Sequence, residues 1–139
     1  MKNRSELREI IIKVLYSTYI LDDINSKYNL NDLIKEHLDV ENDFVEETTT
    51  NIIKNEKELN KLANKYLQES NWTIDRLSKV DKAIINLGIY ELMHTDTPPI
   101  VAINEAIELS KKYSDERVTS MINAVLDKVY HNEVEPNER

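Results

Sequence analysis

Glycine occurs once in 139 residues, at Gly88, and proline only at Pro98, Pro99 and Pro136. Tight β-turns and the short connections of βαβ units lean on Gly, Pro and Asn-Gly signals, which supply backbone angles that other residues resist. A chain this poor in both is restricted to helices joined by short polar loops. The prevalence of Leu, Ile, Lys, Glu and Asn fits that restriction. The length suits one domain able to bury a core of respectable size.

The absence of cysteine removes disulfides, zinc–thiolate sites and iron–sulfur clusters. No apolar run approaches the roughly 18 residues of a membrane span. The opening residues, Met1-Lys2-Asn3-Arg4-Ser5-Glu6, lead into a charged amphipathic segment, not into the apolar stretch of a signal peptide. The expected location is the cytoplasm, with no membrane contact. A net charge of −8 disfavours nonspecific binding of polyanions. Only residues 1–14 have a positive balance, with Lys2, Arg4, Arg8 and Lys13 against Glu6 and Glu9. Any nucleic-acid contact is therefore expected to be local and to begin in that segment.

Apolar spacing predicts six or seven helices. The first runs from about Asn3 to Leu21 on Leu7, Ile11, Val14, Leu15 and Thr18, with Arg4, Arg8 and Lys13 largely off the stripe. A short helix is expected near Asn31 to Leu38. One long helix then extends from Asp43 to about Glu69. Ser70-Asn71 interrupts it, and Thr73 or Asp75 is suited to cap the next helix, which continues to Met93. Gly88 lies mid-helix on the apolar stripe, where glycine costs roughly 1 kcal/mol relative to alanine. Its use there is close approach of another helix. Thr97 is a fair N-cap, with Pro98 as the first helical residue of a segment reaching Lys112. The last helix spans Asp115 to Tyr130. Residues 1–132 are expected to form a single domain and 133–139 a flexible tail.

Motifs for chemistry are sparse. Glu91-Leu92-Met93-His94 has the Glu-x-x-His spacing of di-iron bundles, but such sites need a second copy and two more glutamates. The spacing reads as a helix C-terminus ending in a dipole-compatible histidine. His37 and His131 have no ligand spacing. No Gly-x-Ser-x-Gly or phosphate loop is present. Neither catalysis nor a cofactor or metal is expected. Asn104 and Asn123 sit among apolar neighbours, where a buried amide must be hydrogen-bonded. The expectation is that each ties its helix to a neighbouring helix end or loop, with a ligand contact as the alternative. Tyr16 and Tyr19 follow the basic residues and are suited either to stacking on bases or to the core.

Several segments in order resemble a known family. Trp72-Thr73-Ile74-Asp75-Arg76-Leu77, Val80-Asp81-Lys82-Ala83-Ile84-Ile85 and Tyr90-Glu91-Leu92 come first. Val101 to Leu109 and Asn123-Ala124-Val125-Leu126-Asp127-Lys128 follow, and Arg8-Glu9 with Leu15-Tyr16 match near the N-terminus. Together they are similar to the NusB family of transcription antitermination factors. The resemblance implies an all-α fold of two packed helical subdomains without catalytic activity. It also implies binding of boxA RNA in ribosomal RNA leader transcripts, together with the small-subunit ribosomal protein that acts as NusE, within the RNA polymerase antitermination complex. The RNA-contacting positions it implies are Lys2, Arg4, Arg8, Tyr16 and Met121. The partner-contacting positions are Asp81, Asp75 and Glu91.

The chain departs from the family pattern in three ways. Its N-terminal arginine cluster is thinned, Met121 stands where many members place Phe, and Ala124 where glycine is common. Fewer phosphate contacts and one stacking surface fewer imply weaker binding of free RNA. The competing reading is a protein-interaction module of the same fold with little RNA binding. A third, by analogy, is an RNA-guiding module that works with a methyltransferase on another chain.

Overall fold

The computed structural model describes residues 1–138. Among them are seven α-helices and no strand. They are α1 (Arg4–Asp23), α2 (Leu30–Lys35), α3 (Asp43–Lys54), α4 (Glu56–Leu67), α5 (Lys79–His94), α6 (Pro99–Tyr113) and α7 (Glu116–Val129). They fall into two compact units, Met1–Asn55 and Glu56 onward. Among the described residues no helix is long and apolar enough to cross a membrane.

Each helix of the first unit begins on an asparagine. Asn3, Asn29 and Asn42 turn a side-chain oxygen to a backbone N–H of the first turn, satisfying a donor that has no intrahelical partner. At α1 the cap is reciprocal. Glu6 N–H donates to Asn3 Oδ1 at 2.8 Å while Asn3 N–H donates to Glu6 Oε1 at 3.1 Å. Glu6 is thus engaged in starting the helix. The expected stripe of Leu7, Ile11, Val14, Leu15 and Thr18 is buried, joined by Ile10, Ile12 and Tyr19, and α1 packs on α2 and α3. Burying each large aliphatic side chain is worth about 1.5–3 kcal/mol.

The long helix expected from Asp43 to Glu69 is two helices. The break falls at Asn55, where the two units divide. Asn55 Nδ2 donates to the Asn51 carbonyl at 2.7 Å, so the side chain competes for a main-chain acceptor. The apolar stripe is also thin there: Ile52 and Leu59 are buried, and no residue between them is.

The second unit is built around α5, which contacts α4, α6 and α7. Every residue from Ala83 to Leu92 is buried, the pattern of a helix covered on all sides. Gly88 meets the predicted close approach: a Cβ there would lie 2.9 Å from both Leu126 methyls on α7. Two caps differ from expectation. Thr73 opens only a short 3-10 turn, Ile74–Arg76, and α5 is capped by Ser78, whose Oγ accepts from Asp81 N–H at 3.1 Å. Before α6, Pro98 is the cap and Pro99 the first helical residue, because the Thr97 hydroxyl is taken by a buried carboxylate. Asn25 and Asn71, at φ 54 and φ 60, make left-handed turns, the second at the predicted Ser70-Asn71 break.

After α7 the chain continues through a π-turn, Tyr130–Val134, and a 3-10 turn, Glu135–Glu138. Within the stretch expected to be a loose tail, Glu133 accepts hydrogen bonds from the Tyr66 hydroxyl and, at 2.9 Å, from Lys65 Nζ.

Candidate nucleic-acid interface

The basic residues at the start of α1 separate by environment. Lys2 and Arg4 are exposed, whereas Arg8, one turn on from Arg4, is 4% exposed. Both guanidinium groups gather on one ring. Arg4 Cζ lies 3.9 Å from the Phe44 ring centroid and Arg8 Cζ 5.6 Å, inside the range of cation–π attraction. Arg8, which the resemblance places among the RNA-contacting residues, is buried and shares the Phe44 ring with Arg4. Tyr16, 40% exposed, lies further along α1. Tyr19, the other tyrosine considered for stacking, is core. Tyr16 also begins an exposed apolar edge with Ile20 and Ile24 at four-residue spacing.

In the second unit, Asp81 and Glu91 were expected on a partner-facing surface, and both are buried, at 6% and 1% exposure. Asp81, in the first turn of α5, accepts a hydrogen bond from the Ser114 hydroxyl at the end of α6. Glu91 Oε2 accepts from Thr97 Oγ1 at 2.9 Å, just before α6, and its carbonyl accepts from Thr95 Oγ1 at 2.7 Å. The two carboxylates therefore clasp the antiparallel α5–α6 pair at its two ends. Each satisfied acceptor offsets the cost of desolvating its charge. Asp75 is different: its side chain is 81% exposed, with Lys82 Nζ 3.9 Å away. Lys82 also reaches Glu56 at 3.2 Å.

Met121 is half-buried on α7. Asn104 and Asn123, expected to be internal ties, are exposed, and so is Ala124. The buried face of α6 is Ala102, Ala106, Leu109 and Ser110, and Asn104 lies two residues, about 200°, from Ala102. On α7 the face is Ile122, Val125, Leu126 and Val129, which leaves Arg117, Ser120, Asn123 and Ala124 outward. His94 Nε2 is 3.1 Å from Glu58 Oε1, and among the described residues no cluster of three metal-ligating side chains occurs.

Sequence reasoning missed Phe44, Ser78 and Ser114, and read Thr97 as a helix cap, not as the partner of Glu91. Ser78-x-x-Asp81 has the spacing of a helix N-cap and was legible. Phe44 gave no periodic signal, since its partners are charged residues of another helix.

These features define a class: a small all-α protein of two helical units, with exposed cations gathered at a helix start and acidic residues used internally. The chain belongs to the NusB family, whose family model matches residues 5–131. A transcription antitermination protein NusB of Clostridium perfringens is 38% identical over 136 residues, covering 94% of this chain and 98% of that protein. One from Methylacidiphilum infernorum is 34% identical, covering 93% and 91%. Among solved structures, T. maritima NusB superposes with a TM-score of 0.81 at 27% identity, covering 99% of this chain and 98% of that one. A structure of antitermination factors NusB and NusE in complex with dsRNA shares the fold, with a TM-score of 0.74 at 24% identity over 92% and 96% of the two chains.

Proposed function

We propose that this protein is a non-catalytic transcription antitermination factor of the cytoplasm. It binds boxA-like single-stranded RNA of ribosomal leader transcripts together with the ribosomal protein that acts as NusE, and joins the RNA polymerase antitermination complex through that assembly. The names of its full-length relatives support the activity, and a protein of the same fold is found with NusE and RNA. The observation that carries the reading to this chain is Arg4, an exposed guanidinium fixed at the one segment with a positive balance.

Lys2 and Arg4 supply phosphate contacts, Tyr16 an aromatic face for a base, and Met121 a softer apolar contact from α7. Arg8 contributes through the cluster it helps build. On the partner side Asp75 is the direct contact, while Asp81 and Glu91 hold α5 and α6 in the shape the partner meets.

The test is a titration of boxA RNA and a scrambled RNA with this protein, alone and with NusE, at one fixed salt concentration. The expected result is a gain in boxA affinity over scrambled RNA when NusE is added. Equal affinities with NusE present would instead favour an interaction module without useful RNA binding.

A further inference from the structure

Phe44 is the chain's only phenylalanine, and it is half-buried in the first turn of α3. That turn is fixed by the Asn42 cap, whose Oδ1 accepts from Val45 N–H at 3.1 Å. The ring is therefore carried on a defined backbone. Over it sits the Arg4 guanidinium at 3.9 Å, with Arg8 at 5.6 Å. Among the described residues no carboxylate pairs with Arg4. Two like charges one helical turn apart repel, and the ring's negative face draws both to the same place.

We infer that Phe44 is a positioning residue for RNA: it holds the Arg4 guanidinium flat, with one face on the ring and its N–H edges presented to a phosphate. This rests on the RNA-binding reading above. An arginine on a flexible stem loses rotamer freedom on binding, whereas one already stacked has less to lose. Arg8 packs on the same ring but is buried, so Arg4 is the guanidinium that the ring presents at the surface. The device gives a thinned basic segment more from each exposed cation. It also assigns Phe44 a role that its place on a different helix conceals.

The experiment titrates a labelled boxA-like RNA with the full chain and NusE over a range of salt. The variants are Arg4→Ala, Phe44→Leu, the double variant, Phe44→Tyr, and 4-cyanophenylalanine at position 44, which weakens the negative face of the ring while keeping its shape. Arg4→Ala is expected to reduce the salt slope by about 0.7, the value for one phosphate contact on a single strand. Phe44→Leu and the cyano variant are expected to weaken binding roughly two- to five-fold, the worth of one cation–π contact. Phe44→Tyr keeps the affinity, and the double variant is no weaker than Arg4→Ala alone. A purely structural Phe44 would give losses that multiply with Arg4→Ala and ignore the ring's electronics; either result overturns the inference while leaving the RNA reading intact. A wild-type protein with no affinity for the RNA in the presence of NusE overturns both.

Discussion

The start of α1 and the α5–α6 pair both carry charged side chains, and they use them in opposite ways. At the start of α1 two cations stay near water: Lys2 and Arg4 are exposed, and Arg4 rests on an aromatic face that buried Arg8 shares. Along α5 the carboxylates go inside, where Asp81 and Glu91 each accept from a hydroxyl that flanks α6 at the same end of the helix pair. The difference lies in the available partners. Ser114 and Thr97 are short donors that end or precede a helix, so they satisfy a buried anion at little entropic cost. At the start of α1, Arg4 instead rests on the Phe44 ring and stays at the surface. One region is thus free to bind a ligand and the other sets the scaffold.

The comparison breaks most readily at Glu91. Glu91→Ala is expected to cost about 3 kcal/mol in urea unfolding, from the stranded Thr97 hydroxyl and the space left behind. Glu91→Gln, which can still accept that bond, should cost far less. A stable Glu91→Ala protein that no longer binds NusE would return this residue to the partner surface. Next is Gly88→Val. The added methyls would run into Leu126, itself fully buried, and the expected loss is about 2 kcal/mol. An unchanged melting temperature would mean that α5 and α7 are not held so close.

A smaller effect sharpens the picture by pH. Hydrogen bonds from Tyr66 and then Lys65 hold the Glu133 carboxyl below its ordinary 4.5, against opposing desolvation. A carboxyl lowered in the folded state stabilises the fold above its unfolded value, and that stabilisation is lost as pH falls through the folded one. Stability should therefore drop on acidification below about pH 5, and Glu133→Gln should flatten that limb. An acid limb identical in wild type and variant would remove Glu133 from the account. The smallest stability effects belong to the binding edge. Arg4→Ala and Tyr16→Ala should each change unfolding free energy by no more than about 0.5 kcal/mol, while weakening RNA binding. Losses of several kcal/mol would make them scaffold residues instead.

The helical class, the α1 stripe and the use of Gly88 were legible because they depend on periodicity and on glycine's missing Cβ. The misreadings have a common cause. Asn104 and Asn123 looked internal from their apolar neighbours in sequence, yet adjacent helical residues point 100° apart. The burial of Arg8 and Glu91, which the resemblance names as contact residues, was not legible because Phe44 and Thr97 lie on other segments that no local pattern connects to them. The break at Asn55 was hidden by helix-compatible Lys and Glu on both sides, where only the side chain's competition for a carbonyl marks it.

The most direct test of this division is amide hydrogen exchange across the whole chain, with NusE present throughout and boxA RNA added or withheld. The account predicts new protection at the start of α1, through Tyr16, and on the outward face of α7 around Met121, with exchange along α5 unchanged. Protection that appears along α5 and leaves the start of α1 untouched would contradict it.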